Sequence, residues 1–327
     1  HLLQTRRGER DYYVLREAGC EIIGGVTNII LLDGGMGQEL LRRSAIPEHP
    51  LWSAKVLMDE PELVQAVHAD FIEAGARVIT INSYSATPER LAFHGEPELF
   101  APLQARAIDL AEAARNASGE DVRIAGCLPP LYTSYRPEMA TNFEENLGLY
   151  RQIVAEQAGR VDVLLCETLG SVVEAQAALT AAGETDLPVW LGLSVRDDAS
   201  ACLRSGESLA DALDIVLGLG PEAILLNCST PEAIGHALTR FEGRDINWGA
   251  YANGFADVTA LEQGGLVDVL SVRADLSREA YAKHALQWVK RGARIVGGCC
   301  EVGPAHIREL HDALDQLGHK ITGRLTS

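Results

Sequence analysis

The amino-acid sequence predicts a single (β/α)₈ barrel of the TIM type. Three observations predict it: eight short apolar, β-branched runs spread over 327 residues, helix-length amphipathic stretches between them, and no Pro/Gly/Ser-rich linker to divide the chain. Strand and helix repeated without a break imply a parallel sheet in one domain, and eight such units close on themselves. An open doubly wound sheet is the competing arrangement, and the count of eight favours closure.

In chain order the runs are NIILLD (28–33), RVITIN (77–82), VRIAGC (122–127), DVLLCE (162–167), PVWLGLS (188–194), EAILLN (222–227), NWGAYA (247–252) and RIVGG (294–298). Between them, segments such as 61–76 and 171–183 return apolar residues at helical spacing and end on glycine. A ninth strand-like run, 267–272, reads as part of the connection before a helix over 275–293. Residues 1–28 read as an N-terminal extension carrying a candidate accessory helix, 29–320 as the barrel, and 321–327 as a C-terminal tail.

Hydrophobic residues make up 47% of the chain and charged residues 23%, the balance of a globular protein with a large core. A formal net charge of -18 argues against nucleic acid as a partner, because affinity for a phosphate backbone comes from clustered Lys and Arg. No window approaches about 18 uninterrupted apolar residues, the length of a membrane span. The first 28 residues lack the basic, apolar and small-residue order of a signal peptide. A cytosolic protein with neither a nucleic-acid nor a membrane partner is expected, and its oligomeric state is not legible. Seven cysteines, an odd number scattered over a long chain, do not form a disulfide framework. In a reducing compartment such thiols are buried, catalytic or metal-bound.

In a closed barrel, chemistry sits at the C-terminal ends of the strands. Those ends carry Asp33, Asn82 with Ser83, Cys127, Cys166 with Glu167, Ser194, Cys228, Asn253, and Cys299 with Cys300. Closure brings Cys228, after the sixth run, to the same rim as Cys299 and Cys300, after the eighth. Three thiolates and one open position describe a catalytic zinc site, since structural sites use four protein ligands. Gly297 and Gly298 are expected to let the backbone turn so that both adjacent thiols face one ion. The competing reading is that these are ordinary core cysteines, which behave as small hydrophobes. That reading is preferred for Cys20, Cys127, Cys166 and Cys202, which have no evident partner.

A thiol entering the open position of such a site would lose its proton and become a nucleophile. A thiolate-rich shell makes the metal a weak Lewis acid for water but leaves a bound sulfur electron-rich, which favours alkyl transfer over hydrolysis. In DGGMGQEL (33–40), Asp33 can hold an ammonium group, and the backbone amides of Gly34 and Gly35 at a helix start can receive a carboxylate. Taken alone, the same residues read first as a glycine-rich turn with Asp33 capping the helix. Glu167 is a second anchor for the ammonium, a general acid or base, or a helix-start charge. Ser83 can bond a substrate carboxylate, while Ser85 or Thr87 caps the next helix. Trp52 packs or covers the pocket, and His306, near a helix start, reads as a solvent-facing or capping residue.

Taken together and in order, DGGMG, LWSAKVL, NSYSATPERL, LLCETLGS, LLNCS and VGGCCEVGPAHI resemble the homocysteine S-methyltransferase family over roughly residues 29 to 315. The resemblance implies zinc held by Cys228, Cys299 and Cys300 with the homocysteine sulfur as the further ligand. It also implies an ammonium contact at Asp33 and Glu167 and a carboxylate contact at the amides after Asp33. The LWSAKVL stretch is similar to the free-standing branch that takes its methyl from S-methylmethionine or S-adenosylmethionine. Nothing resembles the folate, cobalamin or activation domains of cobalamin-dependent methionine synthases. Two segments depart from the family pattern: EVGP follows the cysteines where relatives carry a Gly-Thr or Arg-Thr pair, and YANGF stands for the commoner Tyr-Pro-Asn. Both fall on the donor side of the rim. The expected reaction is methyl transfer from a sulfonium donor to homocysteine, giving methionine. Selenocysteine or another small thiol as acceptor, and a non-catalytic zinc- or amino-acid-binding barrel, are the alternatives.

Overall fold

A computed structural model describes residues 27–47, 49–263 and 270–325. The expected accessory helix in residues 1–28, Cys20 and the start of the 267–272 run lie outside them, apart from Thr27 and Asn28. Eight parallel strands match the eight runs: β1 (Asn28–Leu31), β2 (Val78–Thr80), β3 (Arg123–Leu128), β4 (Val163–Leu169), β5 (Val189–Leu193), β6 (Ala223–Asn227), β7 (Asn247–Tyr251) and β8 (Ile295–Val296). Each pairs with its sequence neighbour from β2 to β8, and β8 returns to β1. Between β1 and β2 closure rests on a parallel bridge, Leu32 to Val78, with Asp33 N–H donating to Val78 O at 3.0 Å and Arg77 N–H to Leu31 O at 2.8 Å. The result is a closed (β/α)₈ barrel.

Strand side chains alternate between the two faces. Ile30, Leu32, Val78, Leu165, Trp190 and Leu225 fill the barrel interior. Ile29, Leu31, Leu164 and Leu191 face outward into the layer shared with the helices. Those helices are α1 (Met36–Arg43), α2 (Ser53–Asp59), α3 (Pro61–Glu73), α4 (Pro88–Phe93), α5 (Phe100–Ser118), α6 (Phe143–Gln157), α7 (Val172–Gly183), α8 (Leu209–Leu217), α9 (Pro231–Ala237), α10 (Thr259–Glu262), α11 (Arg278–Lys290) and α12 (Pro304–Gln316). No helix among the described residues is long and apolar enough to cross a membrane.

The structure corrects two boundaries. The helix expected over 275–293 is α11, capped by the Ser277 side chain, which accepts from Ala280 N–H. Ile321 and Thr322, expected in the tail, join Lys320 in β9 (Lys320–Thr322), which pairs with β1 from Asn28 to Ile30. Gly323, just beyond it, packs against the Arg77 carbonyl at the foot of β2. Three residues are too few to show a period of two, so β9 carries no sequence signal. In the 267–272 run, Val272 makes only an isolated antiparallel bridge to Phe255, in keeping with a connection.

Candidate metal and amino-acid site

Cys228 follows β6 directly and takes φ 51°, a left-handed conformation unusual for a residue with a Cβ. Cys299 and Cys300 follow β8 through Gly297 and Gly298, and the chain then turns at Glu301 with φ 65°. The turn expected of the two glycines therefore falls on Glu301, and neither glycine has a positive φ. Their role is close approach: a Cβ on Gly297 would stand 2.5 Å from Leu32 Cβ, and one on Gly298 would overlap the Val302 side chain.

The Sγ atoms of Cys228, Cys299 and Cys300 all lie within 4.8 Å of one another. A tetrahedral zinc ion with Zn–S of about 2.3 Å needs sulfurs about 3.8 Å apart, so a small contraction brings the three onto one ion. Hydrogen bonds from Cys299 and Cys300, followed by one from Tyr135, hold the Cys228 thiol well below its usual range. The residues present fit a metal ion with one position left open.

Beside the thiols are two carboxylates, Asp33 buried and Glu167 half-buried. Asp33, 5% exposed, accepts from Thr80 N–H at Oδ2 over 2.8 Å, which fixes it at the β1–β2 seam. Burial pushes its carboxyl up to about 8, and the charge of Glu167 adds to the rise. Glu167 accepts from Cys127 Sγ–H at 3.0 Å and from Tyr251 O–H at 3.4 Å, and burial pushes it up to about 7. Neither carboxylate has an ion-pair partner among the described residues. A desolvated pair of this kind is neutralised by protons or by a cation.

The pocket over these groups is walled by Met36, Trp52, Tyr84, Phe255 and Leu261. The Trp52 and Tyr84 rings meet edge to face at 6.0 Å, and the Trp52 ring lies over Gly37, where any Cβ would overlap it. Trp52 therefore packs on the first turn of α1 and forms part of the pocket wall. Two expected substrate contacts are changed. The Gly35 amide donates to Val302 O at 2.9 Å and is spent, whereas the Gly34 amide has no acceptor among the described residues. Ser83 turns away from the pocket and accepts from Gln157 Nε2 at 3.4 Å, while Asn82 and Ser85 on either side line it. Thr87 caps α4 by accepting from Arg90 N–H, and Ser85 accepts from Ala54 N–H instead. His306 packs half-buried against the Tyr281 ring, 6.1 Å between centroids.

The homocysteine S-methyltransferase family model matches residues 30–314. The chain belongs to the homocysteine S-methyltransferase family. Within it, the chain is 32% identical over 304 residues to the homocysteine S-methyltransferase of Escherichia coli (strain K12), covering 86% of this chain and 94% of that one. It is 27% identical over 332 residues to the selenocysteine Se-methyltransferase of Brassica oleracea var. italica, covering 90% and 91%. The metallated crystal form of the homocysteine methyltransferase MmuM from Escherichia coli superposes with a TM-score of 0.74 at 28% identity, over 88% of this chain and 96% of that one.

Three parts of this family member's site were not legible in its motifs. Cys127, expected to be inert, is the hydrogen-bond donor to Glu167. Its position two residues after the inward-facing Ala125 was the available signal. Tyr135 and Arg204 come from loops without strand or helix periodicity, yet both touch Cys228. Cys166 packs in the outer apolar layer, so for it the core reading stands, whereas Cys202 lies half-buried in the loop after β5 and is not part of the apolar clusters among the described residues.

Proposed function

We propose that this family member transfers a methyl group from a sulfonium donor, S-methylmethionine or S-adenosylmethionine, to the sulfur of homocysteine, giving methionine. The observation that carries the reading is the convergence of Cys228, Cys299 and Cys300 within 4.8 Å in the same pocket as two carboxylates, Asp33 and Glu167, that have no ion-pair partner among the described residues. A substrate with a thiol at one end and an ammonium at the other matches both halves. Cys228, Cys299 and Cys300 would hold zinc, which when bound keeps a substrate thiol deprotonated near neutral pH and electron-rich.

Asp33 and Glu167 hold the substrate ammonium, and the Gly34 amide is placed to take its carboxylate. Trp52 and Tyr84 exclude water and present aromatic faces that attract a cationic sulfonium. In the displacement, the carbon–sulfur bond of the donor breaks as the new one forms on the homocysteine sulfur. The donor sulfur keeps the electron pair and leaves as a neutral thioether, so no general acid is needed. Alignment in such a pocket is worth up to roughly 7–11 kcal/mol of barrier in favourable cases. A cytosolic setting, where thiols stay reduced, belongs to the same reading.

The test is methionine formation from homocysteine with S-methylmethionine, S-adenosylmethionine and betaine supplied separately, with zinc quantified in the same sample. Selenocysteine is tried as acceptor because relatives of similar identity carry that activity in their names. One zinc per chain and turnover with a sulfonium donor are expected, and Cys299→Ser should lose both. Zinc and turnover intact in that variant would falsify the reading.

A further inference from the structure

Behind the thiols lies a polar network that methyl transfer leaves without a role. Tyr135, in the β3–α6 connection, is buried at φ 64°. Its hydroxyl stands 3.0 Å from Cys228 Sγ and 3.1 Å from Cys228 O, and it accepts from Asn253 Nδ2 at 3.1 Å. The guanidinium of Arg204, whose side chain is 2% exposed, stacks 4.2 Å from the Tyr135 ring centroid. Arg204 also donates from Nη2 to Cys228 O at 3.0 Å and from Nε to Ser194 Oγ at 2.7 Å.

The hydroxyl has one proton and two acceptors. The carbonyl of Cys228 is already served by Arg204 and, at 3.4 Å, by Ser194 O–H. Among the described residues, a thiolate at Cys228 has only the phenol to donate to it once Cys299 and Cys300 are also thiolates. Asn253 occupies a lone pair of the phenol oxygen, which leaves the proton facing away from the amide. Two residues in left-handed conformations, Tyr135 and Cys228, are thereby locked against each other, and such strain persists only where the surroundings enforce it.

We propose that Tyr135 is a positioning residue for the metal site, its O–H donating to the Cys228 thiolate while Arg204 braces the ring and the Cys228 carbonyl. The inference rests on the three-thiolate reading above. The hydrogen bond aims Cys228 at the ion and withdraws charge from one of its three sulfurs, a contribution of the kind that outer partners of metal ligands make elsewhere.

Tyr135→Phe keeps the ring and its stack on Arg204 and removes only the hydroxyl. Zinc affinity, measured by competition with a chromophoric chelator, should fall about 10- to 100-fold relative to the wild-type chain. In the cobalt-substituted protein the thiolate-to-metal charge-transfer band should move to lower energy, because an unbonded thiolate is the stronger donor. A purely structural role for Tyr135 would lower the melting temperature of the metal-free protein and leave affinity and band where they were, which overturns the proposal. Asn253→Ser, which keeps the phenol but frees its orientation, should shift both readouts in the same direction by less. It serves if Tyr135→Phe does not fold. A wild-type chain that takes up no zinc at all removes the three-thiolate reading itself, whereas zinc bound equally by wild type and variant removes only the role given to Tyr135.

Discussion

Asp33 and Glu167 are each ordinary carboxylates made unusual by burial, and their pH behaviour follows from that. Held near 8 and near 7, they are protonated in large part at pH 7 when no ligand is present. An ammonium between them returns both to the ionised form, so binding releases protons in the window between about 5 and 8. Methionine, which offers the same head group without a thiol, should release roughly one proton at pH 7 and almost none at pH 9. Calorimetry in buffers of different ionisation enthalpy measures this, and no release at pH 7 would separate the carboxylates from the ammonium. Asp33→Asn should weaken methionine about 10- to 150-fold, the worth of one charge-assisted hydrogen bond.

At the scale of elements, the site depends on how closely the β1–α1 turn lies on the turn after β8. Gly35 has φ -72°, which alanine adopts freely, so a substitution there is limited by space alone. A Cβ on Gly35 would stand 2.5 Å from Cys299 O and 2.9 Å from Cys300 Cα, both backbone atoms that cannot swing aside. Gly35→Ala should therefore cost about 1–3 kcal/mol of stability, as overpacking does, and separate the two cysteines from Cys228. A urea titration with zinc stoichiometry tests it: an unchanged midpoint together with one zinc per chain would remove the claim that this contact shapes the site. The motif DGGMG announced a tight turn, but not that its tightness serves the cysteines rather than a substrate carboxylate. Only the neighbouring backbone shows which.

For the whole molecule, buried titratable groups set a pH dependence of stability. Asp33, Glu167 and Glu174 all have carboxyls raised by burial, so the fold binds protons more tightly than the unfolded chain from about pH 4 up to 7 or 8. Their protonated form is the stable one, and stability falls as pH rises through that window. His68, on α3, works the other way. Burial lowers it to about 3, its ring nitrogens have no hydrogen-bond partner among the described residues, and stability is lost as pH falls from about 6.5 toward 3. Between pH 6.5 and 8 the carboxylates act unopposed by His68, and the ligand-free chain should melt at a lower temperature at pH 8 than at 6.5. Thermal scans at the two values test this, and Asp33→Asn should flatten the slope by up to about 1.4 kcal/mol per pH unit. An equally steep slope in that variant would assign the effect elsewhere.

By itself the sequence determined the barrel and most of the site's chemistry. Eight apolar runs at regular intervals leave few ways to bury both faces of a sheet, and the ends of those runs name Asp33, Glu167, Cys228, Cys299 and Cys300 because strand ends share a rim. Tertiary structure alone decided what is local to contacts between distant loops. It turned Ser83 away, spent the Gly35 amide on Val302, moved the turn from two glycines to Glu301, and brought Cys127 to Glu167 and Tyr135 to Cys228. Periodicity reports which face of an element is covered. It carries no information about which loop atom, tens of residues away, completes a hydrogen bond or fills the space where a Cβ would stand.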